Sequence, residues 1–207
     1  MLTSPIAALT LALAVAIALI LIWKYVLKYR LIPKRWGVVE DGSIYRSGQL
    51  HRSLVHRVLR DNDIDVIINM NRRRPDKPDH AAEIEAADAL GIEKHWFTMN
   101  GDGTGDPQNY ALAVHQLQLS VQDNRRVLVH CTAGAQRTGV TIALYRMLYL
   151  DWSAEQAVAE MASYGFDPKG DFALLRFVDQ HLPYIAERLH GLGSLQQIPE
   201  PLPRVAG

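Results

Sequence analysis

Residues 126–139 read Arg126-Val127-Leu128-Val129-His130-Cys131-Thr132-Ala133-Gly134-Ala135-Gln136-Arg137-Thr138-Gly139, and the run VTIALYRMLYL follows them. Arg126–His130 has the apolar density of a buried strand, and the run after Thr138 has that of a helix. Between them lies a tight loop. Strand, loop and helix N-terminus together form an anion-binding arrangement, because successive backbone N–H groups converge above the positive end of the helix dipole. Cys131 opens the loop, so its sulfur faces that cradle, which favours the thiolate. Gly134 suits a backbone turn that a side chain would obstruct. Arg137 brings a planar fork able to hold two oxygens of one phosphate group. Thr138 is placed to donate a hydroxyl hydrogen bond to the sulfur, and His130 to orient the loop.

Outward from this centre, short strands are predicted at Ser43–Arg46, Val66–Asn69, Lys94–Thr98 and Arg126–His130. Helical patterns cover His51–Arg60, Asp79–Leu90, Pro107–Gln122, Thr138–Leu150, Ala154–Ser163 and Phe172–Leu189. Strands alternating with helices predict an α/β domain with a mostly parallel central sheet flanked by helices. The domain is expected over residues 36–189. Residues 190–207 are rich in Gly and Pro without apolar periodicity, which predicts a flexible tail.

The N-terminal part is different in kind. Ile6–Trp23 is an uncharged run of 18 residues, which as a helix spans about 27 Å, close to the hydrocarbon thickness of a bilayer. Ser4 is the expected N-cap and Pro5 the first helical residue. Residues 1–35 carry five basic side chains (Lys24, Lys28, Arg30, Lys34, Arg35) and no acidic ones, all of them after the apolar run. Residues 24–35 thus form a basic juxtamembrane connector. A cleaved signal peptide would place its charge before the apolar core and would need a small-residue cleavage site; neither is present, so an uncleaved transmembrane helix at 6–23 is expected. Positive charge after the run predicts the N-terminus outside and the domain in the cytoplasm. Ser4, Ala8, Ala12 and Ala16 form a small-residue stripe compatible with helix pairing, although alanine-rich spans produce such stripes by composition alone.

Residues 36–207 hold 17 basic and 22 acidic side chains, a net of −5. No basic surface of the size nucleic acid requires is visible, and Arg72-Arg73-Arg74 is the one local exception. A single cysteine excludes an internal disulfide and fits a reducing compartment.

The string HCTAGAQRTG (130–139) fits the pattern H-C-x5-R-[ST]-G at a strand–loop–helix junction, and so resembles the cysteine-dependent protein-tyrosine and dual-specificity phosphatase superfamily. Ile44–Leu50 and Val66–Met70 look like the first two strands of its small bacterial dual-specificity-like members. That family often carries an Arg where this chain has Asn71; here the basic residues come one position later. The low-molecular-weight phosphatases share the cysteine loop but place it near the chain start. Sulfurtransferases also use a cysteine loop of this shape, usually without the Arg-Thr-Gly exit, and are a minor alternative.

The resemblance implies two-step phosphoryl transfer without metal or cofactor. Cys131 is the implied nucleophile. Arg137 and the loop N–H groups of Thr132, Ala133, Gly134, Ala135 and Gln136 are implied to bind the phosphate. It also implies an acid on an Asp about thirty residues upstream, which here means Asp102 or Asp106. Asp106 precedes Pro107 and an apolar-periodic segment, the signature of an N-cap whose carboxylate is occupied by backbone N–H groups. Asp102 is flanked by glycines and is the expected acid. The loop interior has no Lys, which ranks phosphoprotein, phosphotyrosine first, ahead of a phospholipid or inositol phosphate. The anchor favours the lipid. A non-catalytic phosphate-binding protein is the third reading, disfavoured by the intact Cys131, Arg137 and Thr138.

Overall fold

A computed structural model describes residues 5–206. Ser4 lies outside them. Helix α1 (Pro5–Ile22) continues without a break through a π-helical stretch, Trp23–Leu27, into α2 (Lys28–Leu31). The connector expected at 24–35 is therefore helical over most of its length. No Gly or Pro interrupts it until Pro33, whose ring forces the preceding Ile32 into an extended conformation and ends the helix. Leu9–Leu31 is long and apolar enough to cross a membrane, and none of it is buried against the domain.

The domain is built on five strands: β1 (Gly37–Glu40), β2 (Ile44–Gly48), β3 (Val66–Asn69), β4 (Glu93–Trp96) and β5 (Val127–Cys131). They pair in the order β1-β2-β5-β3-β4. All pairs are parallel except the antiparallel edge hairpin β1–β2. Strand β1 has no counterpart in the sequence reading. It is a four-residue edge strand that begins on a glycine, too short to show alternation.

Side chains alternate across the sheet. Ile67 and Leu128 point to α3 (Val55–Asp61) and α4 (Pro78–Leu90), joining Val58, Leu59, Ala86 and Ala87 in one buried cluster. Val66, Ile68, Val127 and Val129 face the other way. There they join α5 (Pro107–Gln122), α6 (Gln136–Tyr149), α7 (Ala154–Ser163) and α8 (Phe172–Gly191). Helix α6 is buried from Arg137 to Leu148 and forms the axis of this layer.

The C-terminal segment corrects an expectation. Leu195 and Val205 are buried, and Ile198, Leu202 and Ala206 pack on the larger core cluster. The N–H groups of Val205 and Ala206 donate to the Asp179 carboxylate at 2.6 and 3.0 Å. Pro199, Pro201 and Pro203 forbid a helix here, so the apolar residues show no period, yet an extended chain buries them equally well.

Candidate active site

Strands β2, β3 and β5 end side by side, and the site lies on the loops beyond them. Cys131 closes β5 opposite Gly48 of β2. Residues 132–135 form the loop, and Gln136 opens α6. Gly134 has a left-handed backbone, φ 78°, and a Cβ there would come within 2.5 Å of the Gly48 nitrogen, so only glycine fits.

Cys131 is buried, and the Gly134 N–H donates to its Sγ at 3.1 Å. Burial pushes its thiol up. The charge of Arg137, the Thr138 hydroxyl and N–H, and the Gly134 N–H together outweigh burial and hold the thiol below its ordinary value. Among the described residues the buried Thr138 hydroxyl has no nitrogen or oxygen partner. Arg137, also buried, donates through Nη1 to Asn71 Oδ1 at 2.9 Å and to the Met70 carbonyl at 3.4 Å. Of the remaining loop residues, Thr132 is exposed at the cleft and donates its hydroxyl to Asn71 Oδ1 at 2.7 Å. Ala133 is half-buried and Ala135 is the buried N-cap of α6. Gln136 donates its side-chain amide to Asp171 at 3.2 Å.

Asn71 thus occupies the position where the resembled family carries Arg, and it is not idle. One oxygen accepts from both the loop hydroxyl and the guanidinium, which fixes the plane of the Arg137 fork. Arg72 is exposed on the cleft rim.

Beneath the loop lies a network that the sequence reading missed. His130 shares the α4 face of the sheet with Leu128, and there its Nε2 meets the buried Glu83 carboxylate of α4 at 3.1 Å. Glu83 also accepts from Asn69 Nδ2 at 2.8 Å and Gln49 Nε2 at 2.7 Å. Burial alone would lower His130, but the Glu83 carboxylate and its hydrogen bond raise it. Burial alone would raise Glu83, but His130, Gln49 and Asn69 together hold it below its ordinary value. Glu83 lies three and four residues before Ala86 and Ala87, with which it is buried, but a helix this rich in alanine and acid gives no sequence signal of that face.

The pair has a defined pH signature. Its raised His130 contributes stability that is full below the unfolded value near 6.5 and lost as pH rises through the higher folded value. Its lowered Glu83 contributes stability that is full above the unfolded value near 4.5 and lost as pH falls through the lower folded value. Glu83→Gln is therefore expected to destabilise by about 3 kcal/mol, the cost of leaving a buried charge unpaired. The deficit should be largest between about pH 4.5 and 6.5 and shrink at alkaline pH. Denaturant titrations across that range check this; a deficit that grows towards alkaline pH would contradict the ion pair.

Asp106 caps α5, its Oδ1 accepting from the Gln108 N–H at 2.9 Å. Asp102 lies exposed on the loop before α5. It is engaged as well: Oδ1 accepts from the Thr104 N–H at 2.9 Å and the Thr104 hydroxyl at 2.8 Å. Those two bonds, the N–H first, hold its carboxyl below the usual carboxylate value. The occupied-carboxylate argument that sets Asp106 aside therefore applies to Asp102 in this conformation too. Nor are the flanking glycines equivalent. Gly101 is exposed at the cleft, while Gly103 is buried with its carbonyl accepting from Tyr110 OH at 2.7 Å.

The cleft over the loop has a volume of about 700 Å³. Thr132, Arg137, Asn71 and Gln49 line it from the domain, with Arg72, Arg74 and Lys77 on one side. Tyr29 and Lys34 of the connector line it from another. Among the described residues, no group of three or more His, Cys, Asp or Glu side chains is placed to hold a metal ion.

A five-stranded α/β sheet that carries a buried cysteine and an arginine on one strand–loop–helix turn is the arrangement of a cysteine-based phosphatase. The model of the dual specificity phosphatase catalytic domain matches residues 48–172, more than half of the chain, and the chain belongs to that family. Solved structures agree on the fold. Pseudomonas aeruginosa TpbA is 19% identical, covering 77% of this chain and 91% of its own, with a TM-score of 0.58. The catalytic core of the PP-IP phosphatase SIW14 from S. cerevisiae is 18% identical, covering 84% and 98%, with a TM-score of 0.59. PTPMT1 is 17% identical, covering 75% and 99%, with a TM-score of 0.58. No curated protein sequence matches the chain.

Proposed function

We propose that the protein hydrolyses phosphomonoesters through a phosphocysteine on Cys131. The observation that carries this is the buried Sγ, 3.1 Å from the Gly134 N–H and depressed by the Arg137 charge. The thiolate attacks phosphorus in line; the S–P bond forms as the P–O bond to the leaving group breaks, and the leaving oxygen takes a proton from Asp102. Water then attacks phosphorus and gives its proton to Asp102, the S–P bond breaks, and inorganic phosphate departs. Arg137 and the loop N–H groups hold the equatorial oxygens through both steps. The Thr138 hydroxyl stabilises the sulfur as it leaves. Arg137→Lys keeps the charge but loses the fork and its bond to Asn71, so kcat/KM should fall by roughly 10²–10³-fold. A Lys variant within a few-fold of wild type would show that charge alone suffices.

For the substrate, the cleft reverses the order drawn from the loop alone. Arg72, Lys77 and Lys34 line it with positive charge, Arg74 is paired with Asp76, and Asp79 is the one lining carboxylate. Tyr29 follows Lys24, the first charge after the apolar run, by about 7.5 Å of helix. A headgroup layer is roughly 5–7 Å thick on each side of a bilayer. With Lys24 at the membrane surface the cleft wall would lie at the outer edge of the headgroup layer, and a phosphorylated lipid headgroup with further negative charge is the substrate class these charges favour. The neutral loop interior favours phosphotyrosine as the second reading. Relatives on this fold are known with both ligands: TpbA is solved with pTyr and PTPMT1 with PI(5)P. Full-length protein in vesicles should turn over a phosphoinositide monophosphate faster than a phosphotyrosyl peptide. Replacing Arg72 and Lys77 by Ala should weaken the lipid reaction roughly tenfold to thirtyfold, at about 1 kcal/mol per basic residue. A loss equally large on a small aryl phosphate would contradict headgroup recognition by these residues.

The five basic residues after the apolar run and none before it favour a cytoplasmic domain with the N-terminus outside. A reporter fused after Gly207 should behave as cytoplasmic in intact cells; protease access to the domain from outside would overturn this orientation.

A further inference from the structure

Three successive peptide units of the cysteine loop turn their carbonyls away from the cradle, and each is bound by a cation. The Thr132 carbonyl accepts from Lys34 Nζ at 3.3 Å, that of Ala133 from Arg35 Nη1 at 3.0 Å, and that of Gly134 from Arg46 Nη2 at 3.0 Å. In a trans peptide the N–H points opposite to the carbonyl. The N–H groups of Ala133, Gly134 and Ala135 are thereby directed to the other side. The middle unit matters most: its carbonyl belongs to Ala133, and its N–H is that of Gly134, which donates to Cys131 Sγ at 3.1 Å. Arg35 and the sulfur thus sit at opposite ends of one peptide. A cation on the oxygen polarises the unit and strengthens its N–H as a donor.

The chain goes to some trouble to put Arg35 there. Its φ is 47°, a left-handed conformation that costs a non-glycine residue about 1–2 kcal/mol. Its guanidinium lies against Gly165, where a Cβ would approach Nε and Nη2 to 2.9 Å. The preceding Lys34 carbonyl is fixed by the Gly48 N–H at 2.7 Å, and the following Trp36 ring packs on Tyr45 with centroids 5.4 Å apart. Among the described residues Arg35 pairs with no carboxylate, so its charge is spent on the loop. Lys34 and Arg35 both precede the segment that the family model matches.

We propose that Arg35 is a positioning residue that stabilises the Cys131 thiolate through the Ala133–Gly134 peptide, which makes the membrane connector a working part of the active site. This rests on the reading of Cys131 as nucleophile. The other titratable groups around the sulfur are Arg137 of α6, Arg46 of β2, His130 of β5 and Tyr110 of α5. None of them changes when Arg35 is replaced.

The test uses the full-length protein in detergent and the fact that Cys131 is its only cysteine. The rate of iodoacetamide alkylation against pH then reports this thiol alone. Arg35→Gln should move the alkylation midpoint up by about one pH unit. Arg35→Lys should retain part of the wild-type depression. Arg35→Gly relieves the left-handed backbone, so it keeps the fold while removing the cation, and should show the same upward shift as Gln. kcat/KM of the Gln and Gly variants should fall about tenfold below the new midpoint and approach wild type above it. Alkylation curves that superimpose on wild type, or an activity loss equal at every pH, would overturn the proposal and leave the phosphatase reading intact. A shifted midpoint combined with full turnover in Cys131→Ser would instead overturn the nucleophile assignment.

Discussion

Cys131→Ser is expected to abolish turnover, by roughly 10⁴-fold or more, while phosphate-ester binding survives. The two effects separate because different atoms carry them. Binding is assigned to the loop N–H groups and the Arg137 fork, which the substitution leaves in place. Attack is assigned to the proposed Cys131 thiolate, and a serine hydroxyl in the same position has a far higher pKa and no base beside it. His130 is poorly suited to be one: its Nε2 is turned to the buried Glu83 carboxylate at 3.1 Å, which favours its charged form. Isothermal titration with inorganic phosphate, beside turnover of an aryl phosphate, checks both halves. Near wild-type turnover would end the cysteine mechanism. Loss of binding together with turnover would show that the cradle depends on the sulfur.

Asp102→Asn is expected to slow a substrate with a poor leaving group by roughly 10²–10⁴-fold, and an activated aryl phosphate much less in the first step. The pH dependence carries the sharper test. A general acid works only while protonated, so Asp102, as the proposed acid, should set the limb on which activity falls as pH rises. Asp102→Asn should flatten that limb. In the conformation described here the Thr104 N–H and hydroxyl stabilise the Asp102 anion and lower its pKa. Activity at neutral pH then requires the carboxyl to leave Thr104 when substrate fills the cleft. Thr104→Val removes the hydroxyl and keeps the N–H, so the descending limb should move to higher pH. Asp106→Asn should instead cost about 1 kcal/mol of stability through its cap on α5 and leave the profile unchanged. If Asp106→Asn flattens the limb and Asp102→Asn does not, the assignments are exchanged.

What the sequence revealed was what local chemistry specifies. Helices α5 and α7 fall at the residues expected, because Asp106-Pro107 and the Ser153–Gln156 capping box write their starts into the chain. The cysteine loop was legible for the same reason: strand, glycine and arginine sit within ten residues. The His51–Leu54 stretch, expected as helix, is a turn. His51 Nδ1 accepts the Ser53 N–H at 3.2 Å, and Ser53 Oγ donates to the Arg30 carbonyl at 2.8 Å, so its polar groups are committed elsewhere. The illegible part is long-range. Glu83 sits in an alanine-rich helix that reads as a solvated one, and only the Asn69–His130 register of β3 and β5 brings its partners together. Arg35 and Lys34 read as interfacial charge after a membrane run, yet their side chains reach loop carbonyls 98 residues away. Asn71 read as a gap in the family pattern, whereas it holds both Thr132 and Arg137.

The central claim is a covalent phosphoryl group on Cys131, and it can be seen directly. Asp102→Asn lacks the base for the second step, so the intermediate should accumulate with an activated aryl phosphate. Acid quenching of that variant within the first turnover, followed by peptide mass spectrometry, should find one phosphoryl group on the peptide containing Cys131 and none after Cys131→Ser is added. Release of aryl alcohol in a burst with Cys131 unmodified, or with the phosphoryl group on another residue, would contradict the account.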